Sequence, residues 1–114
     1  MEKTPKIIME CICKTTGYPI ESIKSKCREK GVTNARHIAA YLLLKYTNLM
    51  CAEVGKLLGR NHSTILNSRK VVVNYLWVSK RCHKSYDICL SLEKIDDLLT
   101  EVTQEPLHNS LIIK

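Results

Sequence analysis

The chain contains no phenylalanine and only 3 prolines and 4 glycines in its 114 residues. Alternating Val/Ile/Thr patterns are scarce as well. With few turn-formers and little strand periodicity, the composition favours an all-helical domain with few long loops. No stretch approaches the ~20 apolar residues needed to span a bilayer. Export signals are missing too: the opening MEKTPKIIMECICK has charges on both sides of a very short apolar run. A cytoplasmic protein with reduced thiols is therefore expected.

Metal and catalytic chemistry lack their usual residues. Of the six cysteines (11, 13, 27, 51, 82 and 89), Cys11 and Cys13 are too close for a zinc pair, and Cys82-His83 has no matching second pair. Buried thiols acting as small hydrophobes are expected instead. No paired carboxylates, Ser-His-Asp set or Cys-His arrangement stands out, and no Gly-x4-Gly-Lys-(Ser/Thr) loop occurs. Neither an enzyme nor a cofactor is expected.

Negative charge is also scarce over most of the chain. Residues 1–86 carry 16 Lys or Arg against 5 Asp or Glu, whereas residues 87–114 carry 2 against 6. The body is thus about +11 and the tail about −4. A basic body is the electrostatic footprint of a nucleic-acid binder.

What is present is helical periodicity, without repeats or an evident linker. In PKIIMECICKTTG, Ile7, Ile8, Cys11 and Ile12 share a face, and Gly17 suits a helix stop. Pro19 can open a short helix carrying Ile20 and Ile23. SKCREKGVTN then reads as an exposed basic loop, with Lys24, Lys26, Arg28 and Lys30 close together. NARHIAAYLLLKYTN is the strongest helix, capped by Asn34 and apolar nearly all round, as suits a central core helix. Arg36 and His37 would fall in its first turn, where the macrodipole disfavours cations, so an external anion is expected there.

LMCAEVGKLLG places Met50, Val54, Leu57 and Leu58 on one side and stops at Gly59. Asn61 can cap a five-turn helix, NHSTILNSRKVVVNYLWVSKR, with Ile65, Val72, Leu76 and Trp77 at helical spacing. A short helix, a glycine turn and a longer helix with a polar opening turn form the helix-turn-helix pattern. YDICLSLEKIDDLLTEV supplies a last amphipathic helix through Ile88, Leu92, Ile95, Leu98 and Leu99. About six helices are expected in one domain over residues 1–102, followed by a flexible tail over 103–114.

In a helix-turn-helix the second helix sets its N-terminal residues against base edges in the major groove. His62, Ser63 and Thr64 offer donors and acceptors to bases, and the Thr64 methyl can meet a thymine methyl. Arg60 can reach phosphate or guanine, the free first-turn amides attract phosphate, and Asn67, Ser68 and Lys70 lie one to two turns further on, where those facing the groove can add contacts. The competing structural account is that Asn61, Ser63 and Thr64 form an ordinary cap.

The segment ARHIAAYLLLKYTNLMCAEVGKLLGRNHSTIL resembles the C-terminal DNA-binding domain of the DnaA family of bacterial replication initiators. Arg36, Ala39, Tyr41, Leu42, Thr47, Asn48, Val54, Gly55, Gly59, Arg60, His62, Ser63, Thr64 and Ile65 carry the likeness. It covers residues 6 to 99 and includes a Lys-x-Arg-like basic loop. The resemblance implies a helical domain that binds short asymmetric duplex sites. It assigns Arg28 to the minor groove, and Arg60, Asn61, His62, Ser63 and Thr64 to the major groove and adjoining phosphates. Lys26, Arg36 and His37 match positions near the DNA backbone.

Three departures stand out. Asn61 occupies the place of the family's Asp, exchanging an acceptor-only carboxylate for an amide that both donates and accepts; a carboxylate suits a cytosine amino group, whereas an amide suits adenine. Leu58 replaces the first of two glycines, and the family's ATPase region is absent. The resulting expectation is a stand-alone, nucleoid-associated, sequence-specific DNA binder acting in replication initiation, its regulation, or transcription. The alternative is a non-catalytic interaction module that keeps the fold without specific DNA binding, with VVVNYLWV offered to a partner helix.

Overall fold

Thr4 caps the first helix, its Oγ1 accepting from the Ile7 N–H at 3.3 Å, with Pro5 at the first helical position. This helix, α1 (Pro5–Thr16), stops at Gly17, whose φ of 80° is the left-handed geometry that glycine adopts without strain. The computed structural model describes residues 4–83 and 86–103. Its other helices are α2 (Ile20–Lys24), α3 (Lys30–Tyr46), α4 (Cys51–Leu58), α5 (His62–Cys82) and α6 (Asp87–Thr103). Among the described residues there is no strand, so the fold is all-α. The tail expected over 103–114 lies outside the described residues except for Thr103, where α6 ends.

Helix α3 is the hub, packing against α1, α2, α4, α5 and α6. Its small residues Ala35, Ala39 and Ala40 are fully buried and let neighbouring helices approach, while Ile38, Leu42 and Leu43 fill the space between them. The others contribute Ile8 and Ile12 (α1), Ile23 (α2), Val54 and Leu58 (α4), Ile65 and Val72 (α5), and Ile95 and Leu99 (α6). Each such side chain contributes roughly 1.5–3 kcal/mol by leaving water. A polar tie joins hub and edge: the Tyr46 hydroxyl donates to Asp96 Oδ1 at 2.9 Å. Among the described residues no helix is long and apolar enough to cross a membrane.

The structure departs from local expectation in three places. First, α3 begins at Lys30 rather than after Asn34, which shortens the basic loop to residues 25–29. The cause is tertiary. Val32 and Ala35 are buried, and Gly31 lies so close to the Tyr18 ring that a Cβ there would sit 2.3 Å from the hydroxyl. Tyr18 in turn donates to Glu29 Oε1 at 3.0 Å, which pushes its phenol pKa up. Arg36 and His37 therefore sit beyond the first turn, and the macrodipole argument for an anion there lapses.

Second, Met50 and Trp77 face solvent, at 71% and 59% exposure, instead of joining the core. Helical spacing sorts residues into faces but does not say how wide a face the neighbours cover. Third, only some cysteines are buried: Cys11 is, and burial raises its thiol pKa, but Cys27 and Cys82 are exposed.

Candidate nucleic-acid interface

The turn between α4 and α5 is set by two glycines with different duties. Gly59 ends α4 in the left-handed region (φ 68°), and its N–H donates to Gly55 O. Leu58, where the family pattern has glycine, is the last residue of α4 and wholly buried, so this turn needs left-handed glycine only at position 59. Gly55 is needed for space: the Arg60 N–H donates to its carbonyl at 2.8 Å, and a Cβ on Gly55 would lie 2.3 Å from Arg60 O. Two residues after Gly59, Asn61 caps α5, Oδ1 accepting from the Thr64 N–H at 3.0 Å.

The basic loop is fastened to this turn by arginines. Arg60 Nη1 donates to Lys24 O at 3.3 Å and to Gly59 O at 2.9 Å, while Nη2 donates to Ser25 O. Arg36 grips the same strip of backbone from below. Its Nε donates to Ile23 O at 2.8 Å, and its Nη2 donates to Ser25 O at 2.8 Å and Cys27 O at 3.2 Å. Both guanidiniums therefore share the Ser25 carbonyl. Burial and then the like charge of Arg60 pull the Arg36 pKa below its usual value. Three carbonyl acceptors hold it charged and satisfied.

This geometry sorts the sequence-predicted residues. Lys26, Arg28, Asn61, His62, Ser63, Asn67 and Lys70 are exposed, and Thr64 is half-buried. Ser63, Asn67 and Lys70 follow i, i+4, i+7 spacing and share one solvent face of α5. Lys26, Arg28, Arg60, Asn61 and Thr64 line a groove of about 430 Å³ between loop and helix start. A larger apolar cleft of about 950 Å³ lies elsewhere, beside Met9, Ile20 and Leu57, with Lys6, Lys14 and Lys24 among its lining residues but none of the first turn of α5.

Four predicted residues, Arg36, Arg60, His37 and Ser68, turn inward instead. Arg36 is only 8% exposed, and its donors are occupied by loop carbonyls. Arg60 is half-buried, with its Nη atoms engaged in the same way, so it does not present a free fork to guanine. His37 Nδ1 lies 2.9 Å from the hydroxyl of buried Ser68, bridging α3 to α5. Arg36 and Arg60 thus brace the groove rather than project from it, while His37 and Ser68 are engaged with each other between α3 and α5. Sequence reasoning also passed over Arg69, exposed on α5 two turns beyond His62; the i, i+7 spacing was the available signal.

Burial, then the charge of Arg36, lowers the His37 pKa below its usual 6.5. The folded protein therefore resists a proton that the unfolded chain accepts. Stability tied to this bridge is intact above about pH 6.5 and declines as pH falls toward the depressed folded value. His37→Gln is expected to flatten this part of the acid sensitivity. Urea midpoints at about pH 7.5 and about pH 5.5 would measure it, and an unchanged difference between the two would contradict the assignment.

A family model described as bacterial dnaA protein helix-turn-helix matches residues 5–72. That span holds α1 to α4, the braced loop, the turn and the opening half of α5. The chain belongs to the DnaA helix-turn-helix family. The family is one of DNA-binding domains, not of catalysts. The chromosomal replication initiator protein DnaA of Thermodesulfovibrio yellowstonii is 40% identical over 70 residues, covering 60% of this chain and 16% of that protein. Its counterpart from Bacteroides thetaiotaomicron is 35% identical over 74 residues, 64% of this chain and 16% of that protein. The Picosynechococcus sp. protein is 26% identical over 106 residues, 92% of this chain and 21% of that protein. The chain thus spans between 16% and 21% of the length of these relatives.

Proposed function

We propose that the chain binds duplex DNA at short specific sites and acts in replication initiation, its regulation, or transcription. The N-terminal turn of α5 enters the major groove with His62, Ser63 and Thr64 against base edges, and Arg28 reaches the adjacent minor groove. Lys26, Lys70 and Arg69 supply phosphate contacts. The observation that carries this reading is the arginine brace: Arg60 ties Lys24 O and Ser25 O to the turn, so loop cations and first-turn donors flank one groove. Phosphate contacts give salt-dependent affinity, and the exposed polar turn gives sequence choice.

Selection from random duplex DNA, read by sequencing, is expected to enrich one short asymmetric motif. On that motif Arg28→Ala and His62→Ala are each expected to weaken binding about tenfold or more, with a much smaller loss on scrambled duplex. Equal losses on both DNAs would remove these residues from base reading.

A second reading rests on α5 beyond the groove, where Val73 and Trp77 are 49% and 59% exposed. Such a stretch suits a partner helix. Salt-stable association with a protein, together with no duplex binding at low salt, would favour an interaction module.

A further inference from the structure

Asn61 does two jobs, and the first constrains the second. Its side chain caps α5, with the Thr64 N–H and the Thr64 hydroxyl both 3.0 Å from Oδ1. A backbone N–H only donates, so the amide atom facing it must be the carbonyl oxygen. The hydroxyl must likewise donate its hydrogen to that oxygen. Both lone pairs of Oδ1 are therefore occupied within the protein, while Asn61 is exposed and lines the groove with Arg28 and Lys26. What remains for a ligand is Nδ2, with two N–H donors.

An amide with both ends free pairs with adenine by donating to N7 and accepting from N6. Asn61 lacks the free acceptor for that pairing. We infer that Asn61 is a donor-only specificity residue, selecting a base with a major-groove acceptor (guanine O6 or N7, thymine O4, adenine N7) and rejecting cytosine. Cytosine offers only its N4 amino group in that groove, so two sets of N–H donors would face each other. The inference rests on the duplex-binding reading above and adds the base class at one position.

Asn61→Asp tests it with the cap retained. Aspartate is an equally good N-cap residue, and one carboxylate oxygen replaces Oδ1 toward Thr64. The other oxygen replaces the donors with an acceptor. Melting temperature is expected to hold, which separates the effect from misfolding. In duplex selections the wild-type protein should exclude cytosine at one position by about tenfold or more, and Asn61→Asp should enrich cytosine there while the rest of the motif persists. A motif identical for both proteins would overturn the inference and leave duplex recognition standing. A uniform affinity change across all sequences would also overturn it, by assigning Nδ2 to a phosphate. If the wild-type protein enriches no motif, the inference falls together with the reading beneath it.

Discussion

Arg36→Ala is expected to destabilise the protein by about 2–3 kcal/mol and to lower affinity for its selected duplex about tenfold or more. The side chain nevertheless faces inward. Hydrogen bonds from a charged donor are the stronger kind, and Arg36 supplies three of them to Ile23 O, Ser25 O and Cys27 O. Without it the Ile23 carbonyl is left in the interior and the Cys27 carbonyl turns to water, while the Ser25 carbonyl keeps only its bond from Arg60 Nη2. The strip carrying Lys26 and Arg28 then loses one of its two anchors. Arg36→Lys separates bracing from charge, because one ammonium does not span three carbonyls as a planar guanidinium does. That variant should keep most of its low-salt binding to random duplex and lose sequence-specific affinity. Trypsin cleavage after Lys26 and Arg28 should accelerate in both variants. Wild-type cleavage rates and wild-type specific affinity in Arg36→Lys would show that the loop needs no such brace.

Gly55→Ala should show the other large effect, a loss of about 1–3 kcal/mol centred on the turn. On helix propensity alone the change would stabilise, since alanine is favoured over glycine by about 1 kcal/mol inside a helix such as α4. Sterics decide the sign. The new Cβ would lie 2.3 Å from Arg60 O and 3.3 Å from Arg60 C, and these are backbone atoms that no rotamer change removes. The turn would have to open, breaking the bond from Arg60 N–H to Gly55 O and shifting the start of α5 relative to the loop. Gly59→Ala is the control: Lys24 O would lie at an ordinary 3.4 Å, leaving mainly the strain of its positive φ. Thermal melts should therefore rank Gly55→Ala below Gly59→Ala, and specific binding should fall with it. A Gly55→Ala protein more stable than wild type would mean that the turn has slack.

The sequence by itself determined what depends on near neighbours along the chain. Helix periodicity, the stops at Gly17 and Gly59 and the Asn61 cap all rest on contacts within a turn or two. The helix-turn-helix and its exposed polar opening were legible for that reason. What decided the duties of the cations was tertiary. Arg36 meets carbonyls 9 to 13 positions away, Arg60 meets Lys24 O across 36, and His37 meets Ser68 across 31. The early start of α3 depends in the same way on Tyr18, and the exposure of Trp77 on how much of α5 the other helices cover. A sequence lists an arginine's charge and donors, but only the packed fold says whether carbonyls of its own chain already hold them.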